Sequence, residues 1–223
     1  LLRDQLMNIE FQVLAIYFRQ EIWGLSKAAI LGLMKRKPMD TVESRLAWSI
    51  GVGTIPIVFL GLIFKDFIKN EARELWIIGT ALIVIAICIY LAERFSAGTN
   101  DIRKLSFMQI QWIGIFQALA LIPGCSRSGS TIMGGLLVGL KREEAARFSF
   151  LLGLPAILGS GIYELWELIE FGVSSNDYLN LVLGISSAFV TGYFSIGFLL
   201  RFISNHGTIV FVIYRILVGA GIL

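Results

Sequence analysis

Cysteine and histidine are nearly missing from this chain. Its 223 residues hold two cysteines and one histidine. Cys88 and Cys125 make no disulfide framework, and no CxxC spacing exists to grip zinc. His206 alone excludes a multi-histidine metal site within the chain. Charge is scarce as well, at 16% Asp, Glu, Lys and Arg, against about 25% in a soluble domain. No signal-peptide pattern is present. No Gly-Lys-Ser/Thr follows a glycine at the spacing of an NTPase phosphate loop. The chain also opens on Leu1-Leu2 rather than Met, which leads us to expect a fragment, a processed form or a chain without its beginning.

Apolar residues make up 56% of the sequence, and the mean hydropathy is +0.77. Residues 46–64, 75–92, 105–126 and 178–200 contain no Asp, Glu, Lys or Arg. A bilayer-spanning helix needs about 20 mostly apolar residues, so these runs read as membrane segments. The net charge of +3 sits in short connectors, a pattern that sets membrane orientation and excludes nucleic acid as a partner.

Along the chain, residues 9–18 form a first apolar stretch, interrupted by Glu10 and Gln12. A basic connector spans 19–45. Helix 46–64 contains Pro56, which membrane helices tolerate, and helix 75–92 follows. Residues 105–122 could almost span. After them come Pro123, Gly124, Arg127 and Gly129, then an apolar run of only 13 residues, Ser128 to Leu140. Thirteen helical residues cover about 20 Å, short of a hydrocarbon core of about 30 Å. That marks a re-entrant half-helix, with Gly135 and Gly139 as a small-xxx-small packing pair. Helix 148–163 is expected to kink at Pro155, and helices 178–200 and 207–223 close the chain. Connectors 19–45, 93–104 and 141–147 carry six, three and three basic residues, whereas 164–177 carries none. The positive-inside rule places the first three in the cytoplasm and the last outside.

Arg127 is the costly residue. An arginine at helix-centre depth costs at least about 2.5–3.5 kcal/mol and is kept where it meets a partner or a wet cavity. Ser126, Ser128, Ser130 and Thr131 surround it, Gly124 and Gly129 free the backbone, and a helix begins there. Helix-start N–H groups, hydroxyls and a guanidinium together make an anion site, and the planar fork of arginine suits phosphate. The alternative is an interfacial loop whose arginine snorkels to lipid headgroups.

The string Ala118-Leu119-Ala120-Leu121-Ile122-Pro123-Gly124-Cys125-Ser126-Arg127-Ser128-Gly129-Ser130-Thr131 resembles the undecaprenyl pyrophosphate phosphatase (undecaprenyl-diphosphatase) family of bacteria. So do Gly134 to Leu140, Ala146 to Leu152, Gly53-Thr54-Ile55-Pro56 and Phe211-Val212-Ile213-Tyr214-Arg215. The resemblance implies an all-α polytopic inner-membrane protein, a helical bundle of inverted repeats with re-entrant half-helices and a pocket open to the outer face. It implies hydrolysis of undecaprenyl diphosphate to the monophosphate for peptidoglycan synthesis, and with it bacitracin resistance. By motif match Arg127, Ser126 and Thr131 would be catalytic, and Gly124, Ser128 and Gly129 would cradle phosphate. A divalent cation such as Mg or Ca is implied, and a homodimer is compatible. Cys125 falls at a variable position and receives no role.

One departure is clear. The family's second motif, Glu-Gly-x-Thr-Glu-Phe-Leu-Pro-x-Ser-Ser-x-Gly-His, is not in this sequence, so its metal-linked glutamates and histidine are not here. We therefore expect one transmembrane domain over 1–223, with 1–92 the remainder of a first repeat and 105–223 the second. The missing re-entrant pair would precede residue 1, and these 223 residues alone would be inactive. Glu10, Glu21, the Glu164-Glu167-Glu170 face and His206 read as solvated or interfacial groups, not substitutes. Trp76 and Trp112 fit an interfacial aromatic belt. A lipid-phosphate transporter or flippase is the other function this loop could serve.

Overall fold

The computed structural model describes residues 13–171 and 178–223. Ten α-helices appear among the described residues, with no named strand. Helix α1 covers residues 13–17 and runs through Phe18 into α2 (Arg19–Met34), with Ile22 N–H bonded to the Phe18 carbonyl at 2.9 Å. Then follow α3 (Val42–Ile63), the short α4 (Lys65–Lys69) and α5 (Leu75–Phe95). Helices α6 (Phe107–Ala118) and α7 (Arg127–Leu137) come next, and α8 (Arg142–Phe171), α9 (Tyr178–His206) and α10 (Ile209–Ile222) complete the fold.

Among the described residues, three helices are long and apolar enough to cross a bilayer: Val42–Ile63, Leu75–Phe95 and Ser186–His206, with mean hydropathies of 2.1, 2.6 and 1.3. Phe59, Leu62, Trp76, Phe194 and Leu217 stand outward, each at least 60% exposed. An apolar surface of that extent needs lipid around it. The chain is an all-α membrane protein.

Charge-free runs locate α3, α5 and α9 but understate two elements. The connector expected over 19–45 is largely α2, because residues 19–34 carry no proline and good helix formers such as Ala28, Ala29 and Leu31. Helix α8 has 30 residues rather than the 16 of its apolar run. Its acidic first turn, Glu143 and Glu144, suits the positive end of a helix dipole. Thr41 caps α3, accepting from Ser44 N–H at 3.1 Å. Ser106 and Gln109 form a capping box at α6.

The half-length hairpin of α6 and α7 enters and leaves at one face. The N–H groups of Thr99 and Asn100 bond the Gly139 carbonyl at 3.1 and 2.9 Å, and Lys141 N–H bonds the Asn100 carbonyl at 3.1 Å. The last carbonyls of α7 are satisfied by side chains: Ser96 Oγ donates to Leu136 at 2.7 Å and Asn100 Nδ2 to Val138 at 3.2 Å. At 11 residues, α7 is about 17 Å long. Gly139 does not form the expected packing pair with Gly135. It lies past the end of α7 with φ +87° and turns the chain out of the helix. The close contacts of α7 instead use Gly135 against Ala145 of α8 and Gly134 against Phe116 of α6. Helix α6 in turn crosses α3 backbone to backbone: a Cβ at Gly114 would stand 2.2 Å from the Gly53 carbonyl oxygen.

The three basic connectors gather at the face where the hairpin opens. Arg142 pairs with Glu93 at 2.5 Å, Lys141 with Asp101 at 2.8 Å and Arg147 with Glu21. Thr208, at the turn between α9 and α10, donates from its N–H and hydroxyl to Glu93.

Candidate active site

The tip of the hairpin is the segment Ile122 to Ser126, after the 3-10 turn Leu119–Leu121. It sits near the far ends of its neighbours. A Cβ at Gly61, two residues from the end of α3, would meet Leu121, and one at Gly124 would stand 2.6 Å from the carbonyl of Ile78, in the first turn of α5. Gly124 takes φ +96°, which only glycine adopts readily, so the backbone reverses without a side chain striking α5. Ser126 has φ +61° and ψ +116°. A non-glycine residue in that conformation is strained, and such strain persists where surrounding bonds enforce it.

Those bonds are in place. Ser126 caps α7, its Oγ accepting from Gly129 N–H at 3.2 Å. Ser130 Oγ donates to the Cys125 carbonyl at 3.2 Å, and Thr131 Oγ1 donates to the Arg127 carbonyl at 2.8 Å. Ser130 and Thr131 are buried, whereas Ser126, Arg127, Ser128 and Gly129 are half-buried. The loop residues predicted from sequence therefore come together around the start of α7. Their jobs are unequal. The Gly129 and Ser130 N–H groups are already taken, by the Ser126 hydroxyl and, at 3.0 Å, the Ser126 carbonyl. The Ser128 N–H has no hydrogen bond among the described residues, which leaves a donor at the start of α7.

Arg127 extends toward α8. Its Cζ and Nε lie 3.6 Å from where a Cβ on Gly153 would be. The guanidinium thus rests against the middle of α8 rather than reaching into bulk solvent. Glycine at 153 gives that plane its seat.

Arg215 escaped the sequence reading as a site residue. It lies midway along α10, and its Nη2 donates to the Gly124 carbonyl at 2.6 Å. The only basic residue in an apolar helix is a recognisable signal. Its partner, a backbone carbonyl 91 positions away, has no signature of its own.

The family model described as bacitracin resistance protein BacA matches residues 11–221. The chain belongs to the BacA family. Among curated relatives, the undecaprenyl-diphosphatase of Prosthecochloris aestuarii is 46% identical over 219 residues, covering 93% of this chain and 77% of the relative. That of Chlorobaculum tepidum is 44% identical over 216 residues, with the same shares. That of Myxococcus xanthus is 44% identical over 204 residues, covering 92% of this chain and 68% of the relative.

The remaining candidates lie away from the hairpin tip or outside the described residues. Glu21 is paired with Arg147 at the connector face. His206 is exposed and stacks on Phe202, ring centroids 4.6 Å apart. Glu10 lies outside the described residues, and of Glu164, Glu167 and Glu170 only the helical backbone is described. Among the described residues no three His, Cys, Asp or Glu side chains converge as a metal shell. These residues therefore do not fit the divalent cation that the BacA family resemblance implies.

Proposed function

We propose that this membrane protein hydrolyses undecaprenyl diphosphate to undecaprenyl phosphate and inorganic phosphate, returning the lipid carrier to peptidoglycan synthesis. One observation carries the reading: a family-matched arginine at a helix start, its guanidinium laid on a glycine of the neighbouring helix. The relatives' name, undecaprenyl-diphosphatase, supports the substrate. Water adds to the terminal phosphorus, the bond from that phosphorus to the bridging oxygen breaks, and its electron pair leaves on the lipid monophosphate. Arg127 spreads a planar pair of donors over the phosphoryl oxygens as charge shifts among them. The Ser128 N–H and the positive end of α7 add to that field, and Ser126 and Thr131 hold the turn that aims it.

The protein crosses the bacterial inner membrane several times, with the basic connector face in the cytoplasm and the hairpin tip toward the outside. The chain forms one transmembrane domain in which residues 105–223 make up one repeat, and it is compatible with a homodimer. A divalent cation such as Mg or Ca takes part. Bacitracin resistance is the phenotype that fits. Phosphate release from undecaprenyl diphosphate by the full-length protein in detergent tests the reading. Release supports it, whereas counterflow of labelled lipid phosphate without release points to a transporter and rejects it.

A further inference from the structure

Helix α6 carries three glutamines. Gln109 donates from Nε2 to the Val138 carbonyl at 3.5 Å and accepts at Oε1 from Ser106 N–H at 2.9 Å. Gln111 donates to the Ser49 carbonyl at 3.1 Å. Gln117 is 0% exposed, and neither its Oε1 nor its Nε2 has a hydrogen-bond partner. Four buried hydroxyls direct their protons to backbone carbonyls and not to its amide oxygen: Thr54 to Ile50, Ser130 to Cys125, Thr131 to Arg127 and Ser149 to Ala146. A buried amide with nothing to bond costs about 1–3 kcal/mol, and surrounding lipid supplies no water to relieve it.

The contacts of α6 place this group. Gly114 backs onto Gly53 of α3, and Phe116 covers Gly134 of α7. Helical periodicity puts Gln117 on the sector between those two contacts, the sector it shares with the buried Ile110 and Ile113. Helix α8 closes that sector, because Leu152 reaches Gly53 beside Ile110. The same helix, one residue on, offers Gly153 to the Arg127 guanidinium. Gln117 stands in the last turn of α6 before the loop. The other atoms left without partners are in different places: Trp48 Nε1 near the start of α3 and Arg215 Nε on α10.

We infer that Gln117 is a binding residue of the headgroup compartment. Its Nε2 donates to an oxygen of the diphosphate held by Arg127, and its Oε1 accepts from a water bound with it. This rests on the diphosphatase reading and adds a ligand group that the loop motif does not contain. An apolar side chain of similar size at 117 would relieve the unpaired amide while removing the contact.

The test uses the full-length protein in detergent, as wild type, Gln117→Leu and Gln117→Met. Thermal midpoints are measured without ligand, with farnesyl diphosphate and with inorganic pyrophosphate, beside kcat and KM for phosphate release. The expected variants melt at or above the wild-type temperature, lose about ten- to hundredfold in kcat/KM, a hydrogen bond to a charged group, and lose most of the farnesyl diphosphate shift. A shift with pyrophosphate of the same size identifies the phosphates alone as the recognised group, and a shift with farnesyl diphosphate only adds the lipid; both support the inference. If the wild type releases no phosphate yet its farnesyl diphosphate shift shrinks in both variants, Gln117 stands and the diphosphatase reading falls. Unchanged kcat/KM and ligand shift in either variant overturn the inference. So does a lower ligand-free midpoint in both variants, which would make Gln117 a packing residue, and so does a wild type that neither releases phosphate nor shifts with any ligand.

Discussion

Arg215 of α10 holds the Gly124 carbonyl at 2.6 Å, so a guanidinium on one helix fixes the turn that begins another. Gly124 is where the backbone takes φ +96°, two residues before the cap of α7. The bond therefore determines where Ser126, Arg127 and the start of α7 point. A hydrogen bond to a charged group contributes about 1.5–3 kcal/mol. Arg215→Met is expected to lower unfolding stability by about that amount and to reduce kcat more than it raises KM. Guanidinium denaturation is a poor readout in a membrane protein, so thermal melting in detergent beside steady-state kinetics is the check. Arg215→Lys, which keeps a donor, should recover part of both.

Ser126 separates two effects that one substitution would confuse. Its hydroxyl caps Gly129 N–H, and its backbone sits at φ +61°. Ser126→Ala loses the cap, at about 1 kcal/mol, and keeps the strain. Ser126→Gly loses the cap but relaxes the backbone, where glycine is at ease. The expected order of melting temperature in detergent is glycine above alanine. An alanine variant as stable as the glycine variant would show that the turn is not strained.

How much of this was legible beforehand depends on what each feature is made of. The hairpin was, because a 13-residue apolar run between Arg127 and Lys141 is too short to span, and α7 is indeed 11 residues long. The face shared by the basic connectors was also legible from charge counts. Helix α2 was not, since a search for uncharged runs passes over a helix carrying Arg19, Glu21 and Lys27. Gly139 was placed with Gly135 on the packing face of α7 because periodicity continues past Leu137 in the sequence while the helix does not; Gly135 does pack on a neighbour, Ala145. The Arg215 tether ends on a backbone carbonyl, and every residue has one of those. The seat of Arg127 on Gly153 is a matter of what is missing from a side chain, which only packing reveals.

The connector face supplies a pH dependence of known sign. Lys141, hydrogen-bonded to Asp101 at 2.8 Å, holds that carboxyl below its ordinary value, and Asp101 raises the lysine above its own. A depressed carboxyl contributes stability above its unfolded pKa and loses it as pH falls through the folded one. A raised lysine contributes below its unfolded pKa and loses it as pH rises through the folded one. The pair therefore supports the mouth of the hairpin from below neutral pH to the lysine range. Both groups are exposed, so the effect is small. Asp101→Asn is expected to melt slightly below wild type at pH 7 and to converge with it below about pH 4. A gap that persists in acid would assign the difference to something other than the ion pair.

The central claim is that Arg127, and not the membrane fold by itself, makes this a phosphate-handling site. Steady-state phosphate release from undecaprenyl diphosphate by the full-length protein, as wild type, Arg127→Lys and Arg127→Ala, tests it most directly. Loss of a preorganised charge-stabilising donor costs about 100- to 1000-fold in kcat, and the alanine variant should fall by at least that much while melting near the wild-type temperature. The lysine variant, a point charge without the planar fork, should lie between the two. Release by Arg127→Ala at the wild-type rate would contradict the account.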